Sequence, residues 1–480
     1  MENIDKAESN IINDDLITNT GDSFRDKVGI LDKKGKRIWL HPKKPKGKFH
    51  RARVIVSIFL IAFLFITPFI KINDEPLLLF DIFNRKFIIF GLIFWPQDFF
   101  IFALGFLAFV VFVVLFTAIY GRIFCGWICP QTIFLEMVFR KIEYWIEGDS
   151  HQQIKLKKAP WTTEKILKKT FKQSIFLFIS FLIGNVLLSY IVGIDKLYQL
   201  IADTPAAHPG EFTAILGFTG LFYFIFAWFR EQACTFVCPY ARLQSVLLDN
   251  NTIVVAYDFK RGEERKPLKQ RDDNKNYGDC IDCKNCVRVC PTGIDIRNGT
   301  QLECVNCTAC IDACDEVMVK INKPKKLIKY ASFNQINNNQ KFKLTPRIIL
   351  YSVLLLILIS VVGALIASRS NIDTNILRAQ GALPQQLPDG NIVNLYTMKV
   401  LNKTHQTIPI ELKLENLSGN LEIIGTEKLI VNPGKLTETS LLLKIPKQQL
   451  KPYSNKIKIG VYSNGKYINS VETTFLNPIN

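Results

Sequence analysis

The chain has 480 residues, of which 48% are hydrophobic, 21% are charged and 36 are phenylalanine. This balance favours membrane-spanning helices separated by polar segments. The net charge of +18 is explained more simply by basic residues beside membrane spans than by nucleic acid, so no nucleic-acid partner is expected. All 12 cysteines lie between residues 125 and 314, which excludes a C-terminal exterior stapled by disulfides.

Residues 1–53 are predicted to form a basic cytoplasmic tail. Residues 1–32 are polar and mixed in charge, which is typical of a disordered segment. Residues 33–53 read KKGKRIWLHPKKPKGKFHRAR and contain no acidic residue. Such a patch either orients the chain by the positive-inside rule or contacts anionic headgroups. Trp39 and Phe49 are then candidate anchors at the membrane interface.

Five apolar runs are long enough, or nearly so, to cross a bilayer. They cover about residues 54–70, 98–120, 174–193, 212–229 and 347–367. The first four belong to a predicted transmembrane region, residues 54–250. A shorter run, FIIFGLIFW at residues 87–95, ends at Pro96 and is interpreted as re-entrant or interfacial.

The charges of the connecting segments predict the sidedness of the spans. Residues 121–172 carry ten basic and five acidic residues, whereas residues 193–211 carry one lysine and three acidic residues. By the positive-inside rule, the N-terminus and residues 251–346 face the cytoplasm. Residues 370–480 then lie outside.

Two similar motifs follow predicted spans. GRIFCGWICPQ contains Cys125 and Cys129, and REQACTFVCPY contains Cys234 and Cys238. The spacing predicts that the two thiols of each motif share one helical face. The proline after the second cysteine suits a first helical turn, so this cysteine is predicted near a helix N-terminus, which favours the metal-binding thiolate.

These four membrane-edge thiols are candidates for a soft site that accepts Cu(I), zinc or iron–sulfur. The alternative is that they are small buried hydrophobic side chains, which is common for free cysteine. The repetition of the motif favours the redox or metal role. After Pro130, apolar residues recur every three or four positions, at Phe134, Val138, Ile142 and Trp145. This pattern predicts a helix lying along the membrane surface.

The densest cysteine pattern runs from Cys280 to Cys314. Its two quartets have the spacing of bacterial two-cluster ferredoxins, in which three close thiolates bind one cube and the fourth binds the other. The predicted cluster-1 cysteines are Cys280, Cys283, Cys286 and Cys314, and the cluster-2 cysteines are Cys304, Cys307, Cys310 and Cys290. Zinc and disulfides are alternatives, but zinc prefers paired knuckles and disulfides need an oxidising compartment.

Residues 370–480 predict an all-β domain. Short apolar–polar alternations such as IPIELKLE recur, and Asn464-Gly465 between two of them is a strong hairpin signal. About seven short strands in this length are typical of an immunoglobulin-like sandwich. The predicted fold class is therefore a multidomain membrane protein: a five-span helical bundle, an inserted two-cluster ferredoxin-like domain at residues 251–346, and this sandwich.

Together these segments resemble the cytochrome c oxidase accessory protein family, known as CcoG, FixG or RdxA. The resemblance is carried by RIWLHPKKPKGKFHRAR, FGLIFWPQD, GRIFCGWICPQTIF and REQACTFVCPYARLQSVLL, and it continues through the quartets and the terminal domain. The wider relatives are membrane polyferredoxins of nitrate and nitrous-oxide respiration.

The resemblance implies a bacterial inner-membrane protein with two [4Fe–4S] clusters that assists assembly of a cbb3-type oxidase. Its implied activity is reduction of Cu(II) to Cu(I) for the oxidase copper centre, with Cys125, Cys129, Cys234 and Cys238 handling copper. Implied partners are oxidase subunits or copper-delivery factors and a cytoplasmic electron donor, and a homo-oligomer is compatible with the sequence. The alternatives are an electron-transfer subunit of a quinol or nitrogen-oxide respiratory complex, and a scaffold without enzymatic activity.

Overall fold

A computed structural model describes residues 37–73, 75–203, 206–272, 275–425 and 429–478. The predicted disorder of residues 1–32 and the start of the basic segment lie outside these residues. The described chain divides into two compact units. Unit 1 holds the residues up to Ile70 together with Ala103–Ser360, and unit 2 holds Lys71–Phe102 together with the residues from Val361 onwards.

Most of unit 1 is helical, and α2 and α15 contribute residues to both units. The helices are α1 (Lys48–Ile66), α2 (Phe99–Tyr120), α3 (Ile123–Trp127), α4 (Pro130–Ile133), α5 (Arg140–Ile146), α6 (Ser150–Lys158), α7 (Thr163–Val192), α8 (Ile194–Ala202), α9 (Pro209–Tyr223), α10 (Pro239–Leu247), α11 (Phe259–Gly262), α12 (Asn285–Arg288), α13 (Ala309–Lys320), α14 (Phe333–Asn338) and α15 (Pro346–Ala367). Segments of π-helix cover Phe134–Phe139, Phe224–Phe229 and Ala233–Val237.

Six helical stretches of the described chain are long and apolar enough to cross a membrane. They are Lys48–Phe69, Pro96–Tyr120, Ile123–Ile146, Thr163–Val192, Pro209–Phe229 and Pro346–Ala367. Five of them contain the runs predicted as spans. The additional stretch, Ile123–Ile146, is the least apolar of the six, and half of its apolar window is buried inside the protein. It contains the helix that the sequence predicts to lie along the membrane surface.

The short run at residues 87–95 is not a re-entrant segment. Phe90 and Gly91 both have positive φ (50° and 80°), so the chain reverses and the run becomes a hairpin. Its strands belong to a three-stranded antiparallel sheet in unit 2, made of β3 (Leu78–Asp81), β4 (Lys86–Ile89) and β5 (Leu92–Phe94). Ile88 and Ile93 form the buried face of this sheet. The strands β1 (Lys71–Ile72) and β2 (Glu75–Pro76) pair just before it. In unit 1, β6 (Val254–Tyr257) pairs antiparallel with β7 (Ile328–Ala331).

The rest of unit 2 is a two-sheet sandwich. Its strands are β8 (Ile372–Arg378), β9 (Gln385–Gln386), β10 (Asn391–Asn402), β11 (Ile408–Leu414), β12 (Asn420–Ile423), β13 (Leu429–Val431), β14 (Leu436–Pro446), β15 (Ser454–Ser463) and β16 (Lys466–Leu476). One sheet has the order β12-β14-β10-β8, with β9 beside β10, and the other has the order β13-β11-β15-β16. Alternate residues such as Ile392, Tyr396 and Leu443 are fully buried between the sheets. Asn464 and Gly465 turn between β15 and β16 with φ of 47° and 76°, as the hairpin signal predicts.

In unit 1 the described part of the basic segment contacts the cysteine-rich segment. The backbone N–H groups of Phe49 and His50 donate to the Asp312 carboxylate, at 3.2 and 2.8 Å. The Phe49 ring packs edge-on against Tyr330, with centroids 6.1 Å apart, and the Arg37 guanidinium lies over the Trp39 ring at 3.9 Å. Both rings are half-buried against other residues of the protein, and their position at the membrane interface stays a prediction.

Candidate iron–sulfur and thiol centre

The two cysteine quartets have the same backbone geometry. In each, the second cysteine lies between two residues with left-handed φ. These are Asp282 (50°) and Lys284 (57°) beside Cys283, and Asn306 (53°) and Thr308 (66°) beside Cys307. Helices α12 and α13 begin directly afterwards. Left-handed residues turn successive N–H groups towards one side, which creates a concavity that suits anions and iron–sulfur clusters.

Backbone N–H groups in these concavities point at thiols. The amide of Asn285 reaches the Cys283 sulfur, and the amide of Asn306 reaches the Cys304 sulfur. The amide of Ala309 does the same at Cys307. Hydrogen bonds of this kind favour the charged thiolate over the neutral thiol. The backbone is thus arranged to stabilise sulfur ligands that carry negative charge.

Two cavities lie within the cysteine-rich segment. One is lined by four cysteines together with Tyr257 and Arg297; these cysteines are Cys280, Cys283, Cys286 and Cys314. The other is lined by Cys290, Cys304, Cys307 and Cys310, and Cys286 also contributes to its wall. Each cavity therefore combines three neighbouring cysteines of one quartet with the last cysteine of the other.

The spacing of these side chains suits a cube better than a single ion. No three His, Cys, Asp or Glu side chains among the described residues, which include all 12 cysteines, come together closely enough to hold one metal ion. A tetrahedral zinc site needs its ligands at one point, whereas the irons of a [4Fe–4S] cube take thiolates at separate corners. Cysteines spread around a cavity fit the second arrangement.

Burial keeps most of these thiols neutral when no cofactor is bound. It raises the pKa of Cys304 and Cys314 to about 12, and the pKa of Cys307 to about 11. Cofactor binding must therefore displace protons, because the ligand form is the thiolate. Cys283 is the exposed member of the two quartets, so the cluster-1 cysteines reach the protein surface.

The two CxxxCP motifs also repeat one backbone geometry. The residue four positions before the first cysteine is left-handed in both, namely Gly121 (φ 57°) and Arg230 (φ 51°). The N–H of the second cysteine donates to the carbonyl just before the first cysteine, at 2.9 Å in both motifs. Proline then begins α4 and α10, with Cys129 and Cys238 as their N-caps. The predicted position of these two cysteines at helix N-termini is thus found in the structure.

The prediction that both thiols of a motif share one helical face is wrong. Helix α3 ends at Trp127, and Cys129 has extended φ and ψ of −57° and 122°. Cys238 leaves the helical path in the same way, with φ of −69° and ψ of 109°. The backbone must leave the helix here because the following proline disfavours helical geometry in the residue before it.

The two motifs nevertheless bring four thiols into one neighbourhood. The Cys125 thiol donates to Gln244 of α10, the helix that follows the other motif, at 3.1 Å. Burial raises the pKa of Cys234 to about 12, and the thiols of Cys129, Cys125 and Cys238 act on it in the same direction. The two motifs therefore lie within electrostatic reach of each other, but the four thiols are not arranged as a single-ion site.

Two buried arginines in or after the CxxxCP motifs, Arg230 and Arg140, form ion pairs with glutamates. Arg230 donates both terminal nitrogens to the two carboxylate oxygens of Glu143, at 2.8 and 2.9 Å. Arg140 pairs with Glu231 at 3.3 Å and donates to the carbonyl of Pro291, the residue after Cys290, at 3.2 Å. Desolvation disfavours the charged form of Arg230, but Glu143 and Glu231 outweigh it and its pKa is raised.

Sequence reasoning missed the arginines around the thiols. Arg122, Arg140 and Arg230 are at most 5% exposed, and they make their contacts with residues distant in the chain. The available signal was the presence of Arg122 and Arg230 inside the two CxxxCP motifs, at apolar helix ends where a charge must find a partner.

Comparison with known protein families agrees with this description. A 4Fe–4S dicluster domain matches residues 229–333, and a 4Fe–4S binding domain matches residues 102–149. The family described as "IG-like fold at C-terminal of FixG, putative oxidoreductase" matches residues 362–478. The apolar helices, the cysteine sets and the sandwich define a membrane-bound iron–sulfur electron-transfer protein.

Relatives along most of the chain specify the family. The chain is 31% identical over 461 residues to the nitrogen fixation protein FixG of Rhizobium meliloti, covering 86% of this chain and 87% of that protein. It is 34% identical over 400 residues to protein RdxA of Cereibacter sphaeroides, covering 80% and 83%. A FixG-related protein from Vibrio parahaemolyticus, known from a crystal structure, matches at 23% identity with a TM-score of 0.20, over 23% of this chain and all of that one. The chain belongs to the FixG/RdxA family of membrane polyferredoxins.

Proposed function

We propose that this protein passes single electrons through two [4Fe–4S] clusters to its membrane-edge thiols, where Cu(II) is reduced to Cu(I) for assembly of a cbb3-type oxidase. The observation that carries the proposal is the presence, in one compact unit, of two cysteine-lined cavities and of the four thiols of the repeated CxxxCP motifs. Such clusters supply one-electron chemistry over a wide range of potentials.

The chain's own residues have distinct roles in this proposal. Cys280, Cys283, Cys286 and Cys314 hold one cluster, and Cys304, Cys307, Cys310 and Cys290 hold the other. Cys125, Cys129, Cys234 and Cys238 bind copper as a substrate. Reduction shifts the preference of copper from imidazole and oxygen ligands towards sulfur, so thiols beside the point of reduction retain the product.

The proposed location follows from the distribution of charge. The basic residues of the segments around residues 37–53 and 121–172 favour the cytoplasmic side of the bacterial inner membrane. The cysteine-rich segment is then cytoplasmic and reachable by an electron donor, and the sandwich is periplasmic. Oxidase subunits or copper-delivery factors are the proposed partners.

The experiment is a cupric reductase assay with purified, cluster-loaded protein. Dithionite reduces the protein, excess reductant is removed, and a Cu(I)-specific chelator reports the Cu(I) formed from added Cu(II), which is at most two per protein because each cluster gives one electron. The double variant Cys129→Ser/Cys238→Ser is expected to lose most of the activity while keeping its iron and sulfide. Thr235→Ala, a change inside the second motif that spares its thiols, is the control. Wild-type turnover by the double variant would overturn the copper proposal.

A further inference from the structure

Arg122 lies where the cluster-2 cysteines meet both CxxxCP motifs. It is 5% exposed, and its terminal nitrogens donate to the carbonyls of Leu302 and Ala241. Leu302 is two residues before Cys304, and Ala241 is three residues after Cys238. One side chain thus joins three segments: its own, which leads into the first motif, the segment after the second motif, and the cluster-2 loop.

The positive charge of Arg122 also acts on thiols in these same three segments. Its guanidinium interacts electrostatically with the thiols of Cys125, Cys304 and Cys238 and with the Glu303 carboxylate. The Nε–H of this buried side chain has no hydrogen-bond partner among the described residues. A buried cation stabilises negative charge that arrives nearby, because the surrounding dielectric constant is low.

The backbone of the first motif touches the cluster-2 loop directly. Gly126 lies between Cys125 and Cys129, and a Cβ atom there would overlap the carbonyl of Val305 and lie 3.0 Å from the Cα atom of Cys307. The Gly126 carbonyl accepts a hydrogen bond from Arg53 at 3.0 Å. Only glycine lets these two backbones approach so closely.

Hydrogen bonds through Tyr330 also link the first motif to the cluster-2 loop. The Trp127 indole N–H donates to the Tyr330 hydroxyl at 3.2 Å, and that hydroxyl donates to the carbonyl of Asn306 at 3.4 Å. The cavity of the cluster-1 cysteines has different surroundings, lined by Tyr257, Arg297 and Met318, and it includes the exposed Cys283.

We infer that Arg122 is a positioning residue that couples the cluster-2 cysteines, and not the cluster-1 cysteines, to the membrane-edge thiols. The direction of the path rests on the proposed function. Clusters held by the two cysteine sets would relay one electron from a low-potential donor near the exposed Cys283 towards the membrane-edge thiols, where one Cu(II) would become one Cu(I). No covalent bond is made and no proton is transferred in this step.

The test is a redox titration of the full-length, cluster-loaded protein, followed by electron paramagnetic resonance. The Cys283→Ser variant identifies the signal of the cluster-1 site. Arg122→Gln is expected to shift the midpoint potential of the cluster-2 signal to more negative values and to leave the cluster-1 signal in place. Arg122→Lys, which keeps the charge, restores part of the shift.

Arg261 provides the matched control, since its charge acts on the Cys314 thiol of the other set. Arg261→Gln is expected to shift the cluster-1 signal and not the cluster-2 signal. If Arg122→Gln moves both signals equally, or neither, the inference is wrong.

Gly126→Ala tests the same coupling without changing charge. It is expected to alter the cluster-2 spectrum and to slow electron transfer to Cu(II), whereas Gly220→Ala, at a site with open space around it, changes neither. If the cluster-2 spectrum of Gly126→Ala is unaltered, the inferred coupling through this close contact is wrong. This test remains available if the Arg122 variants do not accumulate. If Cys129→Ser/Cys238→Ser still reduces Cu(II) normally, the proposed function is wrong. A selective effect of Arg122→Gln on the cluster-2 midpoint potential would still support the inference about Arg122.

Discussion

At the scale of single residues, a buried ion pair stabilises the backbone conformation of the second CxxxCP motif. Arg230 has a left-handed φ at the position where the first motif has Gly121, a conformation that costs an arginine about 1–3 kcal/mol. Its bidentate pair with Glu143 holds it there. Removing Arg230 leaves the buried Glu143 with Lys172, at 3.5 Å, as its remaining ion-pair partner. Losing one partner of a buried pair is more costly than losing both.

Arg230→Met is therefore expected to destabilise the protein by about 3–5 kcal/mol. The double change Arg230→Met/Glu143→Met is expected to recover part of that loss. The measurement is the apparent unfolding temperature of the detergent-solubilised protein, together with its iron content. Lys168→Met breaks an exposed pair with Glu164 on α7 and is expected to leave the apparent unfolding temperature nearly unchanged. A loss in the double variant as large as in the single one would contradict this explanation.

The Cys283→Ser variant distinguishes an electron-transfer function from a purely structural scaffold function. Cys283 is exposed, so the change removes a thiolate without opening a cavity in the core. We expect near-normal protein abundance, loss of the cluster-1 signal and loss of electron transfer to Cu(II). In cells, the copper content of the oxidase should fall. Normal oxidase copper with the cluster-1 signal absent would instead favour a scaffold.

At the scale of elements, Asp312 of α13 holds the basic segment against the cysteine-rich segment. Its carboxylate accepts the backbone N–H groups of Phe49 and His50, at the start of α1. A Cβ atom at Gly47 would overlap the Asp312 side chain, so the approach is as close as the backbone permits. A carboxylate at a helix N-terminus also interacts favourably with the helix dipole.

Asp312→Ala is expected to release this segment while preserving the cysteine sets. Limited trypsin digestion of the solubilised protein should then cleave faster after Lys43 and Lys46. Asp315→Ala removes a neighbouring carboxylate of the same helix, which accepts from the Lys326 backbone at 2.7 Å, and should leave the digestion rate unchanged. Equal rates in both variants and the parent would show that Asp312 does not hold the segment.

Sequence patterns predicted those structural elements that are determined by residues close together in the chain. The left-handed pair Asn464-Gly465 produces the hairpin because two small residues accept positive φ there, and the proline in each CxxxCP motif starts a helix wherever the motif lies. The hairpin at residues 87–95 was missed because an uninterrupted apolar run hides a turn at Phe90-Gly91. The contacts of Arg122 join residues 119 and 180 positions apart, and no local pattern contains them.

At the scale of the whole molecule, ion pairs within unit 2 limit the number of membrane crossings. Asp98, at the start of the second apolar stretch, pairs with Arg369 at 2.6 Å and with Lys403 at 2.7 Å. Arg369 lies two residues after the end of the last apolar stretch. Residues in such contact lie on the same side of a membrane, so the chain between them must cross an even number of times.

Five of the six apolar stretches lie between Asp98 and Arg369, so one of the five does not cross. Ile123–Ile146 is the best candidate, because it carries Arg140 and Glu143 in its interior and half of its apolar window is buried in the protein. Charged residues are costly within the hydrocarbon core. The expected protein has five spans, with both CxxxCP motifs on the cytoplasmic side.

Single added cysteines can test this arrangement with a membrane-impermeant maleimide. Asn84→Cys, in the loop before β4, and Gln386→Cys, in β9 of the sandwich, should react in intact spheroplasts. Lys158→Cys, at the end of α6, should react only in inverted vesicles, because Ile123–Ile146 does not carry it across. The parent protein supplies the background from its own cysteines. If Ile123–Ile146 does cross, Lys158→Cys and Asn84→Cys react from the same side, and the ion pair between Asp98 and Arg369 could not form in the membrane.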